Sequence, residues 1–536
     1  MAMKKWTAAL VSSAVTVSLV TGCGGGEDKS GAGKAADSNL NETGFPIVKE
    51  PIKLTFFTGK AATTANNWNE TEIWKEYAKM TNINVDFQLV PFDNLTEKRN
   101  LALASGDYPD AFHTTKLTAQ DLVKYGTQGT FVKLNDLIDK YAPNFKKILD
   151  ENPEIRKGIT MPDGSIYAFP LLYDPDFTSV LMRGKLWYNK EWLDALGMKE
   201  PTTLDEFYEY LKAVKNTDLN KNGKADEIGY GGVGLSDMLA KLKGSYGLMN
   251  RGSSNGNFDI DPKTNEIRFI PTDDRYKELL QYVNKLYTEG LIDKEITTIK
   301  SNQFYAKGAG NVYGSMVTTS PFTLMKLQSF VGVPVLNGPH GDGIYSGIYS
   351  PITQIGAFVI TDKNKNPEAT VRWMDYFYSE EGNKMFFMGI KDKSYTETAD
   401  GKVQYTDEIT KNPQGLTLEQ AVVKYVTWPG GSYPGIVRQK FFQGAEAQPE
   451  SMEAAKKIEA GLVKEVWPPF SFTDAESEKL ISLGNDITTY ITEMETKFMT
   501  GSAPFSEWDK YVSTLKKMGL DEYVNIYKAS YERYKK

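Results

Sequence analysis

Cysteine is almost absent. Cys23 stands alone in 536 residues, so the chain can close no internal disulfide and its stability must come from packing. Histidine is nearly as scarce: His113 and His340 are the two, too few for a multi-histidine zinc site and poor material for a Ser-His-Asp triad. Beyond the N-terminal segment no stretch approaches the about 18 to 20 uninterrupted apolar residues of a membrane span. No basic cluster follows it either, and with a net charge of -7 nothing in the composition favours a nucleic-acid partner, so none is expected. What remains is an acidic chain, expected to be soluble once processed, with 40% hydrophobic residues.

The N-terminus supplies the first positive signal. MAMKKWTAALVSSAVTVSLVTGCGGG has a basic start, an apolar run to Val20 and small residues before Cys23, the pattern of a secretory signal over residues 1–22. The run Leu19 to Cys23 resembles the bacterial lipobox. That resemblance implies a diacylated, palmitate-bearing Cys23 as the mature N-terminus, a two-chain anchor at the outer face of the cell membrane. Residues 23–48, rich in Gly, Ser, Ala, Asp and Asn as far as Glu42, read as a flexible tether.

About 490 residues follow, enough for two or more domains. IKLTFFT (52–58) predicts a buried strand, residues 70–81 an amphipathic helix, 83–91 a second strand and 109–115 a third, an order that points to a parallel α/β sheet. Residues 134–149 carry continuous helical spacing. A hairpin-like DGSIYAFP (163–170) and a strand over 179–189 open a second set of elements, and Thr203 with Glu206 forms a capping box. Further helices are expected at 273–290 and 367–382, and from 450 to 536 the pattern is mostly helical.

DLNKNGKADE, Asp218 to Glu227, places oxygen-bearing side chains on alternate residues around a glycine. Asp218, Asn220 and Asn222 stand at positions one, three and five of an EF-hand-type loop, Gly223 permits the sharp turn, the Lys224 carbonyl is the seventh-position ligand, and Asp226 is the ninth. Position twelve is Gly229, so Glu227 must give the bidentate carboxylate from two places earlier. This single loop predicts one structural calcium ion, a clamp and not a switch. The competing reading is a solvated polar turn.

Aromatic residues make 12% of the chain, and most must be core. Trp68, Trp428 with Tyr433 in TWPGGSYPG, and Trp467 sit where no regular element accounts for them. Rings beside Asn, Ser and Gly suit the apolar faces and hydroxyl edges of sugars. Acidic residues are everywhere, but no compact catalytic motif accompanies them, and GSYPG is no nucleophile elbow.

Together the lipobox, ASGDYPDAF (104–112), GSIYAFP, the run from Trp187 to Gly229, and the ending IYKASYERYKK resemble the family 1 extracellular solute-binding lipoproteins of carbohydrate ABC transporters. The calcium loop is similar to that of alginate-oligosaccharide-binding proteins, in which an early glutamate like Glu227 is a ligand. The resemblance implies an α/β, two-domain periplasmic-binding-protein-like (type II) fold with a hinge and an interdomain cleft. It implies a monomer that captures an oligosaccharide and delivers it to ABC transporter permease subunits. The expected lobes are 49–170, with a returning segment near 352–420, and 171–351 with the calcium loop, with a returning segment near 421–536. Clefts of open α/β sheets lie at the carboxyl ends of strands. That rule selects Lys60, Asn67 and Trp68 after the first strand, His113 and Lys116 after the third, and Trp428, Ser432 and Tyr433 as candidate ligand contacts, and GNVYGSMVTTSP (310–321) is expected to add another. Lys60, Lys116, Arg183 and His113 are cations able to meet a uronate, although the acidic total gives a polyanion no support. The alternative function is a secreted polysaccharide lyase or glycoside hydrolase, which uses aromatics, calcium and a cleft in the same way; a calcium-dependent adhesion module would carry duplicated loops.

Overall fold

The computed structural model describes residues 39–536; Cys23, the signal segment and the tether up to residue 38 lie outside the described residues. Ten strands form two main sheets. Along the chain they are β1 (Ile52–Lys60), β2 (Ile83–Pro91), β3 (Ala111–Leu117), β4 (Phe169–Tyr173), β5 (Lys185–Asn189), β6 (Ile228–Gly231), β7 (Tyr313–Thr318), β8 (Phe330–Gly332), β9 (Ile352–Ile360) and β10 (Gly435–Val437). The first sheet runs β10-β4-β9-β3-β1-β2 and the second β8-β5-β7-β6.

Position in the sheet explains the residue pattern. β1, central and flanked by parallel β2 and β3, is buried continuously from Phe56 to Lys60, as expected of a strand covered on both faces. β2 is the edge strand and buries intermittently. β9 returns antiparallel between β3 and β4. In the second sheet β5 is antiparallel to both neighbours, while β6 and β7 run parallel. The capping box holds as read: Thr203 Oγ1 accepts from Glu206 N at 3.1 Å, and the Glu206 carboxylate accepts from Thr203 N at 3.2 Å. Each sheet has its own core. Trp373, Phe56 and Phe358 anchor the first, while Tyr188, Phe207 and Leu279 anchor the second, together with Ile487, Phe498 and Trp508 from the C-terminal helices.

Four elements depart from the sequence reading. The helical run 134–149 is two helices, Asn135–Tyr141 and Pro143–Glu151, because Pro143 has no N–H to continue the first helix and a φ suited to open the second. The expected strand 179–189 begins as a short helix, Thr178–Leu181, and becomes extended only at Lys185, after Arg183 turns into left-handed space at φ 53°. DGSIYAFP is a turn feeding β4 and not a hairpin. The helix expected over 367–382 ends at Asp375 and restarts at Glu380.

Two boundaries move. Residues 39–48 are held down: Ile47 and Val48 are buried, Ile47 N donates to Thr81 O at 3.0 Å, and the Arg372 guanidinium binds the carbonyls of Asn41 and Gly44. β10, which the reading gives to the second lobe, pairs in parallel with β4 through Gly435–Leu171 and Val437–Tyr173. A three-residue strand between loops carries no period of its own, so only its partner reveals its sheet. The chain therefore passes between sheets over 174–184, 333–351 and 438–448. The Pro449–Ile458 helix then seats Ala454 against β8 so closely that a Cβ on Gly332 would lie 2.2 Å from Ala454 Cβ. Among the described residues no helix is long and apolar enough to cross a membrane.

Candidate functional site

The loops that close the first sheet meet one another. Gly430 packs so tightly on the loop after β1 that a Cβ there would approach Ala61 Cβ to 2.1 Å, and Gly59 abuts the Thr114 carbonyl. Of the candidates selected from sequence, Asn67 and Lys116 are exposed and Ser432 is partly exposed. Lys116 and Ser432 hold φ values of 53° and 66°, conformations that cost energy for a residue with a Cβ. The Lys116 ammonium stands 3.8 Å over the Phe92 ring. Lys60 is buried and directs its ammonium to Thr64 O at 3.3 Å and Asn66 Oδ1 at 3.1 Å within its own loop. Trp68, Trp428 and Tyr433 lie beneath the loops. Trp68 stacks with Trp74, Trp428 Nε1 donates to Phe387 O at 3.1 Å, and Tyr433 packs on Phe386.

His113 sits 2% exposed among Phe56, Trp68, Phe87 and Phe358. Burial lowers its pKa from 6.5 to about 3, so the ring is neutral at physiological pH and not a cation for a uronate. The unfolded chain takes up this proton first as pH falls, so stability is lost below about pH 6.5. Between pH 7 and 4.5 the parent is expected to lose about 2.5 kcal/mol more than His113→Phe in denaturant titrations. Parallel losses in the two proteins would place the ring in water.

The second sheet carries a cavity of about 400 Å³ at the carboxyl ends of β6 and β7. Its wall includes Val317, Thr318 and Thr319 from the end of β7, Tyr305 from the Ser301–Gly308 helix, and Asp237 and Lys241 from the Ser236–Leu242 helix. Arg183 and Tyr349, from two different crossing segments, complete it, with the guanidinium 3.8 Å over the ring. Thr318 Oγ1 is buried there without a hydrogen-bond partner, an expensive state that a ligand hydroxyl would relieve. A larger cavity of about 500 Å³ lies along edge strand β2 and the Glu72–Thr81 helix, away from the strands' carboxyl ends. Thr318 lies in the 310–321 segment selected from sequence, whereas Asp237, Lys241, Tyr305 and Tyr349 were missed, since no local signal marks them.

The Asp218–Glu227 loop joins the Leu204–Lys215 helix to the start of β6, the end opposite the cavity. Asp218 accepts from Asn222 N and Gly223 N at 3.0 and 2.9 Å, and Gly223 takes φ 86°. Glu227, 4% exposed, accepts Leu219 N and Asn220 N on Oε1 at 2.6 and 2.7 Å, while its Oε2 is buried without a partner. An orphaned, buried carboxylate oxygen in a loop rich in amide and carboxylate oxygens fits a hard cation. Among the described residues no group of three or more His, Cys, Asp or Glu is arranged for a metal, so such a cation would depend on the Asn amides and the Lys224 carbonyl as well.

Residues 67–384 match the family of bacterial extracellular solute-binding proteins. The chain is 29% identical to the fructooligosaccharide ABC transporter substrate-binding protein FusA of Streptococcus pneumoniae serotype 4 (strain ATCC BAA-334 / TIGR4), over 100% of this chain and 99% of the relative. It is 24% identical to the polygalacturonan/rhamnogalacturonan-binding protein YtcQ of Bacillus subtilis (strain 168), over 99% of each. The solved structure of a FusA EF-hand mutant in complex with fructo-nystose, from S. pneumoniae, is similar with a TM-score of 0.72 at 27% identity, covering 90% of this chain and 99% of that one.

Proposed function

The chain belongs to the family of bacterial extracellular solute-binding proteins, and from that premise we propose that it captures an oligosaccharide for import by an ABC transporter. The observation that carries the reading is the cavity at the carboxyl ends of β6 and β7, whose wall holds the unpartnered Thr318 hydroxyl together with Tyr305 and Tyr349. Aromatic faces beside unsatisfied hydroxyls suit sugars. The exposed side chains of Asn67 and Lys116 and the partly exposed Ser432 form the facing wall on the first sheet, and the buried Lys60, Trp68, His113, Trp428 and Tyr433 hold their loops in place. Segments 174–184, 333–351 and 438–448 serve as the hinge, and closure about them presents the loaded protein to permease subunits. Cys23 carries the lipid anchor, and the protein works as a monomer outside the cytoplasm. Asp218, Asn220, Asn222, the Lys224 carbonyl, Asp226 and Glu227 hold a structural calcium ion, a reading that the EF-hand of the FusA relative supports. The alternative of a carbohydrate-active enzyme has no counterpart among these relatives, which are named as binding proteins.

A thermal-shift screen against kestose and di- to tetrasaccharides of other types tests this. A ligand at about 100 times its dissociation constant is expected to stabilise the fold by about 2.7 kcal/mol. Thr318→Val is expected to weaken the best ligand by about 1 kcal/mol, the worth of one hydrogen bond. No shift with any oligosaccharide, or release of new reducing ends from one, overturns the reading.

A further inference from the structure

We propose that the cavity at the ends of β6 and β7 selects a carboxylated sugar, so that the oligosaccharide bound is one containing a uronate residue. The inference rests on the oligosaccharide reading above and deepens it. Three cations converge on this corner of the second sheet. The Arg183 guanidinium carbon stands 3.8 Å over the Tyr349 ring. Lys241 gives its ammonium to Met182 O at 3.3 Å and stands 5.5 Å over the Tyr345 ring. Lys185, fully buried behind them, donates to Ser179 O at 3.0 Å. Among the described residues none of the three makes an ion pair. Their partners are rings and carbonyls, which satisfy geometry and leave charge uncompensated.

The carboxylates that reach them are few. Asp237 faces Lys241 from one turn earlier on the same helix, and Glu446 acts on Lys185. Lys241 is lowered to about 7, chiefly by burial, with Asp237 opposing the shift and Lys185 and Arg183 adding to it; burial lowers Lys185 to about 8 against Glu446. One added carboxylate would relieve this repulsion. Among the described residues no hydrogen bond or ion pair engages the Arg183 guanidinium, and its forked N–H groups match a planar carboxylate by two parallel hydrogen bonds. Thr318 Oγ1 adds a partner for a ring hydroxyl beside it.

The test is calorimetry of the protein at pH 7 with trigalacturonate, its methyl ester, kestose and glucose 6-phosphate. The acid is expected to bind at least tenfold more tightly than the ester. Arg183→Met, whose parent side chain is exposed, and Lys241→Met are each expected to bring that ratio towards one in proteins whose melting temperature is preserved. Binding of the acid is expected to take up protons increasingly as pH rises above 7, because a bound carboxylate favours the charged lysines, read from the dependence of heat on buffer ionisation. Equal affinity for acid and ester, or tighter binding of kestose or of the sugar phosphate, overturns the charge selection and leaves oligosaccharide capture standing. Binding of none of the sugars, here and in the wider screen, overturns both.

Discussion

Trp428→Ala is expected to destabilise the protein by about 3 to 5 kcal/mol while leaving oligosaccharide affinity within about threefold in samples kept well below the melting temperature. The indole is 6% exposed, packs on Phe387 and Phe442 with ring centroids 6.1 Å away in each case, and donates Nε1 to the Phe387 carbonyl. Truncation therefore leaves a cavity and an unpaired carbonyl, and both terms have the same sign. The sequence admits the opposite outcome, a platform ring whose loss costs about 1 to 3 kcal/mol of binding. Denaturant midpoints with calorimetry separate the two. A tenfold loss of affinity without destabilisation would make Trp428 a ligand contact.

The difference between these outcomes shows what the sequence makes legible. Strand and helix order over 52–117 follows from local patterns, since each element carries its own period and its own stop signals. β2 spans Ile83–Pro91 as read, and Asn82 ends the helix before it in left-handed space at φ 60°. The calcium loop is legible for the same reason: its candidate ligands are neighbours in sequence. The cavity is not, because Arg183, Asp237, Thr318 and Tyr349 come from four segments that only the crossing of the chain between sheets assembles. Loop tryptophans mislead in the same way, since exposure depends on which strand a loop covers. Trp68 and Trp428 read as platforms because no helix or strand period claimed them, yet packing from distant segments buries both.

Chelating calcium is expected to lower the stability of the folded protein by about 4 kcal/mol when free calcium stands at about 1,000 times its dissociation constant. Sugar affinity well below the melting temperature is expected to change little. Both halves follow from position. The carboxylates of Asp218, Asp226 and Glu227 lie within ten residues of sequence, and one oxygen of Glu227 is buried without a partner, so removal of the ion leaves like charges to repel at short range. The loop lies at the start of β6, whereas the cavity begins beyond Gly231 at its far end; a four-residue strand sets them about 13 Å apart along the sheet. Asp218→Ala combined with Asp226→Ala is expected to reproduce the lower stability and to make it insensitive to chelator. Glu227→Gln, which keeps an acceptor for Leu219 N and Asn220 N, is expected to weaken the calcium response with a smaller loss in calcium-free buffer. A parent protein that melts identically with and without chelator would reduce the loop to a polar turn. Sugar affinity falling in step with calcium would mean that the loop reaches the ligand, because a clamp at the start of β6, opposite the cavity, touches no sugar.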